Sequence, residues 1–199
     1  MKYGILGGTF DPPHVGHMQV AKAALAELGL DDVVWVPANR NPLKVGDQTS
    51  PKARLHMCGL AITGEEGMSV SDIEITRGGP SYLVETLREL RMVRRGEYWF
   101  IAGADAMSRF ETWKEPGRIV QMCRIALASR AGTDMEGLRS RLGPELLHRI
   151  DLLSADVRRV SSSNIRDMVY GGDDVSHLVC AAVAEYIEEK ELYRDQQEH

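Results

Sequence analysis

Two histidines, His14 and His17, flank Val15 and Gly16 in the stretch "GGTFDPPHVGH" that opens at Gly7. Imidazoles three residues apart at a helix start share one face and can surround a single group of negative charges. Gly7 and Gly8 remove side chains where a strand would turn, so backbone amides can approach an anion closely. Thr9 adds a hydroxyl donor. Pro12 and Pro13 stiffen the entry to a helix, where a missing N–H costs nothing. The spacing matches neither G-x-G-x-x-G nor a Walker loop, which would need its lysine. The chemistry indicated is the gripping of phosphates.

A second stretch, "RRVSSSNIRDMV", places Ser161, Ser162 and Ser163 ahead of Arg166. A serine cap exposes amides and hydroxyls at the positive end of a helix, with the arginine one turn inward, and this also suits phosphate. In "FIAGADAMSRFETW", Asp105 follows an apolar run, where a carboxylate can accept from ribose hydroxyls. A capping role for Asp105 and a core role for Trp113 are the competing readings.

These residues need elements to hold them, and the chain alternates short apolar runs with helical periodicity. Strands are expected at Tyr3–Leu6, Val33–Val36, Val70–Ile75, Tyr98–Gly103, Arg124–Ser129 and Ile150–Leu153. A helix is expected through Met18, Ala21, Leu25 and Leu28, stopped by Gly29. Others are expected over Arg54–Ile62, from a Ser81 cap through Leu83, Leu87 and Leu90, and over much of Leu138–Leu147. Two more should run from Ser161 to about Tyr193, separated by "GGDD". The segment "PANRNPLKVGDQTSP" is expected to be a long functional loop. This alternation predicts an α/β fold with a doubly wound, mainly parallel sheet that binds its ligand at the carboxyl ends of the strands. Residues 1–199 are expected to form a single domain whose C-terminal helical portion spans about 161–193.

Composition narrows the partners. Hydrophobic residues at 43% and charged residues at 27% describe an ordinary globular chain, and a net charge of −5 argues against a nucleic-acid surface. No run approaches the roughly 18 apolar residues of a membrane span. Glycine, aspartate and proline interrupt the first thirteen residues, so no secretory leader is expected. Cys58, Cys123 and Cys180 lie far apart, as reduced thiols in a cytoplasmic protein do. Homo-oligomerisation stays open.

"GGTFDPPHVGH" resembles the signature of the nucleotidyltransferases that carry a His-x-Gly-His motif, and within them the bacterial nicotinate-nucleotide adenylyltransferases. The resemblance runs from Lys2 to about Tyr193 and implies a Rossmann-like nucleotidyltransferase fold. It assigns Gly7, Gly8, Thr9, Phe10, His14 and His17 to ATP, the two histidines stabilising phosphate charge rather than acting as nucleophiles. "VSSSNIR" is similar to the family's Ile-Ser-Ser-Thr-x-Ile-Arg, which adds Ser162 and Arg166 to the triphosphate; His14, His17 and Arg166 form the catalytic set. Gly103 and Asp105 go to the adenosine, and Trp113 to the pyridine ring.

"DIEITRGGPSYLVETL" resembles a further family segment and places Tyr82 and Thr86 at the mononucleotide pocket, with Leu83 where threonine is usual. Asn39 and Lys44 match the family's loop pattern, although Leu43 replaces a histidine. The implied reaction is adenylyl transfer from ATP to nicotinate mononucleotide, with Mg²⁺ riding on the phosphates and no residue assigned as a metal ligand. The alternatives are another transferase of the motif class, such as a pantetheine-phosphate adenylyltransferase, or a nucleotide-binding sensor without turnover.

Overall fold

The computed structural model describes residues 1–42, 49–128, 137, 144–154 and 160–194. Six strands form one all-parallel sheet: β1 (Lys2–Gly8), β2 (Asp32–Pro37), β3 (Met68–Val70), β4 (Glu97–Gly103), β5 (Arg124–Ala128) and β6 (Ile150–Leu153). Their spatial order is β3-β2-β1-β4-β5-β6, so the direction of winding reverses between β1 and β4. The β1–β4 ladder runs from Lys2↔Glu97 to Ile5↔Phe100, short of the ends of both strands. A crevice at such a reversal is where open α/β sheets bind ligands.

Side chains alternate across the sheet. Tyr3, Ile5, Val34, Val36, Phe100, Ile125 and Leu127 face one side. There they pack against α3 (Ile73–Arg77), α4 (Leu83–Val93) and α6 (Pro116–Met122), through Ile73, Leu87, Leu90 and Ile119 among others. Leu6, Val33, Trp35, Trp99, Ile101 and Ala126 face the other side, covered by α1 (Val15–Leu28) and by Cys58 of α2 (Pro51–Ala61). The four inner strands β2, β1, β4 and β5 are buried on both faces, which is why they read as unbroken apolar runs rather than alternating ones, while the edge strands β3 and β6 are only partly covered. A third cluster joins Met57 of α2 to Ile165 of α8 (Ser162–Gly171) and to Val183 and Ile187 of α9 (Ala181–Glu189). The C-terminal helices are thereby fastened beside the α1 face. Two short helices, α5 (Ala104–Met107) and α7 (Pro144–Leu147), precede them in sequence.

The expected helix stops and starts are present at Gly29, which closes α1 with φ of 59°, and at Ser161, whose hydroxyl accepts from the Asn164 amide. Three expectations are corrected. The strand expected over Val70–Ile75 ends at Val70, and Ile73–Arg77 is a helix. The β3 ladder against β2 stops at Val70, and the Asp72 carbonyl and carboxylate accept from the Thr76 amide and hydroxyl. Ser81 does not cap α4: Tyr82 holds that position without a side-chain bond, and the Ser81 hydroxyl accepts instead from the Asn39 amide at 2.9 Å. The helix expected from Arg54 starts earlier, with Ser50 as its cap and Pro51 in its first turn. Of the helix expected over Leu138–Leu147, residues 138–143 lie outside the described residues, as does Ser129.

Gly4 shows how tightly β1 is held at the centre. A Cβ there would stand 2.8 Å from Leu30 Cδ1 and 3.0 Å from Ile101 Cδ1. Gly4→Val is expected to lower the unfolding free energy by about 1–3 kcal/mol through overpacking. Urea unfolding checks this, as a lower midpoint with an unchanged slope.

Candidate active site

β1 delivers the chain into its glycine turn without space to spare. A Cβ on Gly7 would meet the Phe100 ring at 3.3 Å, and one on Gly8 the Phe10 ring at 3.1 Å. Phe10 itself is left-handed, with φ of 52°, and its buried ring lies 5.2 Å from Trp35 and 4.9 Å from His17. Of the ATP contacts expected around Gly7–Phe10, the one at Phe10 therefore has only main-chain atoms to offer. His14 caps α1, and its amide donates to His17 Nδ1 at 3.2 Å while the two rings stack at 3.7 Å. Accepting at Nδ1 puts the proton of a neutral His17 on Nε2.

The start of α8 arrives against this turn from 150 residues away. Ser162 Oγ donates to the Pro12 carbonyl at 2.9 Å, and the Arg166 guanidinium donates to the Asp11 carbonyl at 2.9 Å. The Val15 amide donates to the Leu178 carbonyl, closing the same seam. His14, His17, Ser162 and Arg166 thus converge on one cradle, rich in donors.

Arg54, to which the sequence assigns no role beyond its helix, builds the frame of this cradle together with Asp11 and Tyr193. Arg54 is fully buried and donates to the carbonyls of Thr9 (2.8 Å), Thr49 (2.8 Å) and Asn39 (3.0 Å). Burial lowers its pKa, and the nearby Asp11 charge opposes that shift. The buried Asp11 carboxylate accepts from the Tyr193 hydroxyl at 2.7 Å and from the Thr49 amide at 3.2 Å. A signal for Arg54 existed: it shares a helical face with Met57 and Cys58, both wholly buried, so a guanidinium stands inside an apolar stripe.

On the α4 side of the sheet, a pocket of about 350 Å³ opens beside the same glycines. Gly7, Gly8, Phe100, Tyr82, Trp113 and Glu74 are among its walls. Trp113 stands edge-on to Phe100 at 5.6 Å, and its buried indole N–H has no acceptor among the described residues. Lys114, next to it, places its ammonium 4.5 Å from the centre of the Tyr82 ring and pairs with Glu85.

Thr86, expected at this pocket, is corrected to the layer behind it. The residue is wholly buried, its hydroxyl donates to Glu74 and it accepts from Arg77, because the α4 stripe turns it inward. Asn39 likewise acts outside the pocket wall. Its side-chain amide donates to the Gly79 carbonyl at 2.9 Å, tying the β2 end to the turn before α4, while Asn41 and Pro42 line the pocket. Lys44 lies outside the described residues. Gly103 ends β4 and takes the cap position of α5, so the exposed Asp105 is not that cap and sits in the first turn at the strand's carboxyl end.

A model of the cytidylyltransferase-like family matches residues 5–168. A Dehalococcoides mccartyi protein named "probable nicotinate-nucleotide adenylyltransferase" is 39% identical to this chain over 98% of each. The chain belongs to the nicotinate-nucleotide adenylyltransferase family. A family relative so named from Desulfitobacterium hafniense is also 39% identical, over 97% of this chain and 96% of its own. The fold is that of the Plasmodium falciparum nicotinic acid mononucleotide adenylyltransferase complexed with NaAD, with a TM-score of 0.80 over 99% of each chain at 17% identity.

Among the family positions, Glu74 yields a measurable signature. Burial raises its carboxyl pKa above the ordinary range, against hydrogen bonds from Thr86 and Ser81 and the charge of Arg77. The native state then binds more protons than the unfolded chain between the two pKa values. Its contribution to stability is full below the unfolded value and is lost as pH rises through the folded one. Glu74→Gln cannot titrate. The stability of the wild type relative to Glu74→Gln is therefore expected to be greater at pH 5 than at pH 8, in paired urea unfolding curves.

Proposed function

We propose that this chain transfers AMP from ATP to nicotinate mononucleotide, giving deamido-NAD and pyrophosphate, and that residues 1–199 act as one nucleotidyltransferase domain. The observation that carries this reading is the meeting of Ser162 and Arg166 with the Asp11–Pro12 carbonyls beside the histidine pair. Donors from both ends of the chain then face a single place suited to a triphosphate. The relatives' names, and the nicotinic acid mononucleotide adenylyltransferase solved with NaAD, support the choice of reaction. Asp105, at the carboxyl end of β4, suits the ATP ribose, and the Trp113–Tyr82 pocket suits a pyridine ring against an indole face.

The reaction needs little from the protein beyond alignment and charge. A phosphate oxygen of the mononucleotide forms the new bond to the α-phosphorus. The bond from that phosphorus to the bridging oxygen breaks, and its electron pair leaves with pyrophosphate. The nucleophile arrives ionised, so no general base is required. Gly7 and Gly8 stand at the pocket wall and lead into the cradle, and with Phe100 and Phe10 packed where side chains would be, they have only backbone to offer the incoming phosphate. His17 Nε2–H, His14, Ser162 and Arg166 stabilise the charge that builds on the phosphates during transfer.

Mg²⁺ enters with ATP as part of the substrate. The cradle's imidazole, hydroxyl and guanidinium groups suit phosphate oxygens, and among the described residues no cluster of three His, Cys, Asp or Glu side chains is placed to hold a metal. A cytoplasmic setting belongs to the same proposal. Cys58, Cys123 and Cys180 are free thiols, as suits a reducing compartment.

The test is pyrophosphate release from ATP, Mg²⁺ and nicotinate mononucleotide. His17→Ala and Arg166→Ala are each expected to keep the fold and to lose about 10²–10³ in turnover. Near-normal turnover in both variants would remove the assignment. The same assay with nicotinamide mononucleotide is expected to run slower than with nicotinate mononucleotide.

A further inference from the structure

Tyr193 lies at the far end of the chain, yet its hydroxyl reaches the phosphate turn. After α9 the Leu192 amide donates to the Ile187 carbonyl at 3.0 Å, and Tyr193 takes a left-handed conformation with φ of 66°. This turn folds the chain back, and Tyr193 packs into the cluster that α2, α8 and α9 share. Its hydroxyl donates to Asp11 Oδ1 at 2.7 Å, a separation of 182 residues. Burial and the Asp11 charge both raise the phenol's pKa, so it stays a donor throughout the working range.

Asp11 is held in two ways at once. Its carboxylate is fixed by the Tyr193 hydroxyl and the Thr49 amide. Its carbonyl accepts from Arg166, and the next carbonyl, of Pro12, accepts from Ser162. The orientation of these two peptide groups thus sets where the Arg166 guanidinium and the Ser162 hydroxyl stand relative to His14 and His17. Without the phenol, the Thr49 amide is the one hydrogen-bond donor left to the carboxylate among the described residues, and the planes at residues 11 and 12 lose their outer anchor. A buried carboxylate bonded to few donors is also costly, which favours rearrangement of the turn.

We propose that Tyr193, through Asp11, is a positioning residue that sets the cradle for ATP. The proposal rests on the adenylyl-transfer reading above and adds to it a residue that touches no substrate. None of Asp11, Thr49, Ser162, Arg166 or Tyr193 lines the pocket beside Trp113. The effect should therefore fall on one substrate and spare the other.

Tyr193→Phe keeps the ring and removes only the hydroxyl, and Asp11→Asn keeps the shape and removes the charge. In each variant the KM for MgATP is expected to rise about tenfold, the scale of one hydrogen bond to a charged group. The KM for the mononucleotide should stay within about twofold, since its pocket is untouched. A purely structural role would lower kcat through loss of folded enzyme and leave both KM values alone. That result overturns the proposal, as does failure of both variants to fold. Absence of pyrophosphate release from the unaltered chain would instead remove the adenylyl-transfer reading, and this inference with it. Turnover by the unaltered chain with an unchanged KM for ATP in both variants removes only the role of Tyr193.

Discussion

The buried guanidinium of Arg54 is the constraint on which the site depends. An uncompensated charge away from water costs several kcal/mol, so a fully buried arginine requires carbonyls on its N–H groups and a carboxylate nearby. Here the carbonyls belong to Thr9, Asn39 and Thr49, and the carboxylate is that of Asp11. Those carbonyls sit in the turn after β1, in the loop after β2 and just before α2. One side chain thereby ties together irregular segments that have no ladder of their own. Loops that carry ligand contacts are the most mobile parts of most folds, and this bonding holds them to a helix that is itself packed on the sheet.

Around that frame the sheet keeps two jobs apart. The reversal between β1 and β4 opens a crevice at the carboxyl ends, and Gly7 and Gly8 stand at its rim. On the α4 side, aromatic rings and the Glu74–Thr86–Arg77 hydrogen bonds shape a pocket suited to a flat ring. On the α1 side, imidazoles, a hydroxyl and a guanidinium make a place suited to phosphates. Glycine is required between the two because Phe100 and Phe10 already fill the space a side chain would occupy. The apolar packing that stabilises the turn also leaves its backbone bare on the ligand side.

Charge is distributed to the same end. The cradle carries donors, while Glu74 and Asp11, the buried carboxylates nearest the site, are occupied by hydroxyl and amide donors within the protein. Neither is left to compete with a phosphate for the histidines or for Arg166. Glu85 and Glu89, farther out on α4, pair with Lys114 and Arg77 and temper the positive charge beside the pocket.

The alternation of strands and helices, the glycine turn, the Gly29 stop and the Ser161 cap were all legible from the sequence. Each is governed by residues within about four positions, where backbone sterics and nearest hydrogen bonds decide the outcome. The histidine pair was legible for the same reason, since a spacing of three is a property of one helix start. What the chain could not announce was partner choice. Ser81 has the character of a cap, but its hydroxyl accepts from the Asn39 amide, 42 residues away, and Thr86 turns inward to Glu74 rather than toward the pocket. Arg54 stands out only as a charge on an apolar stripe and Tyr193 as a closing aromatic, and their partners emerge only when the fold brings them to Thr9 and Asp11. A donor's direction depends on which surfaces pack around it, and that is decided only when segments far apart in sequence exclude water together.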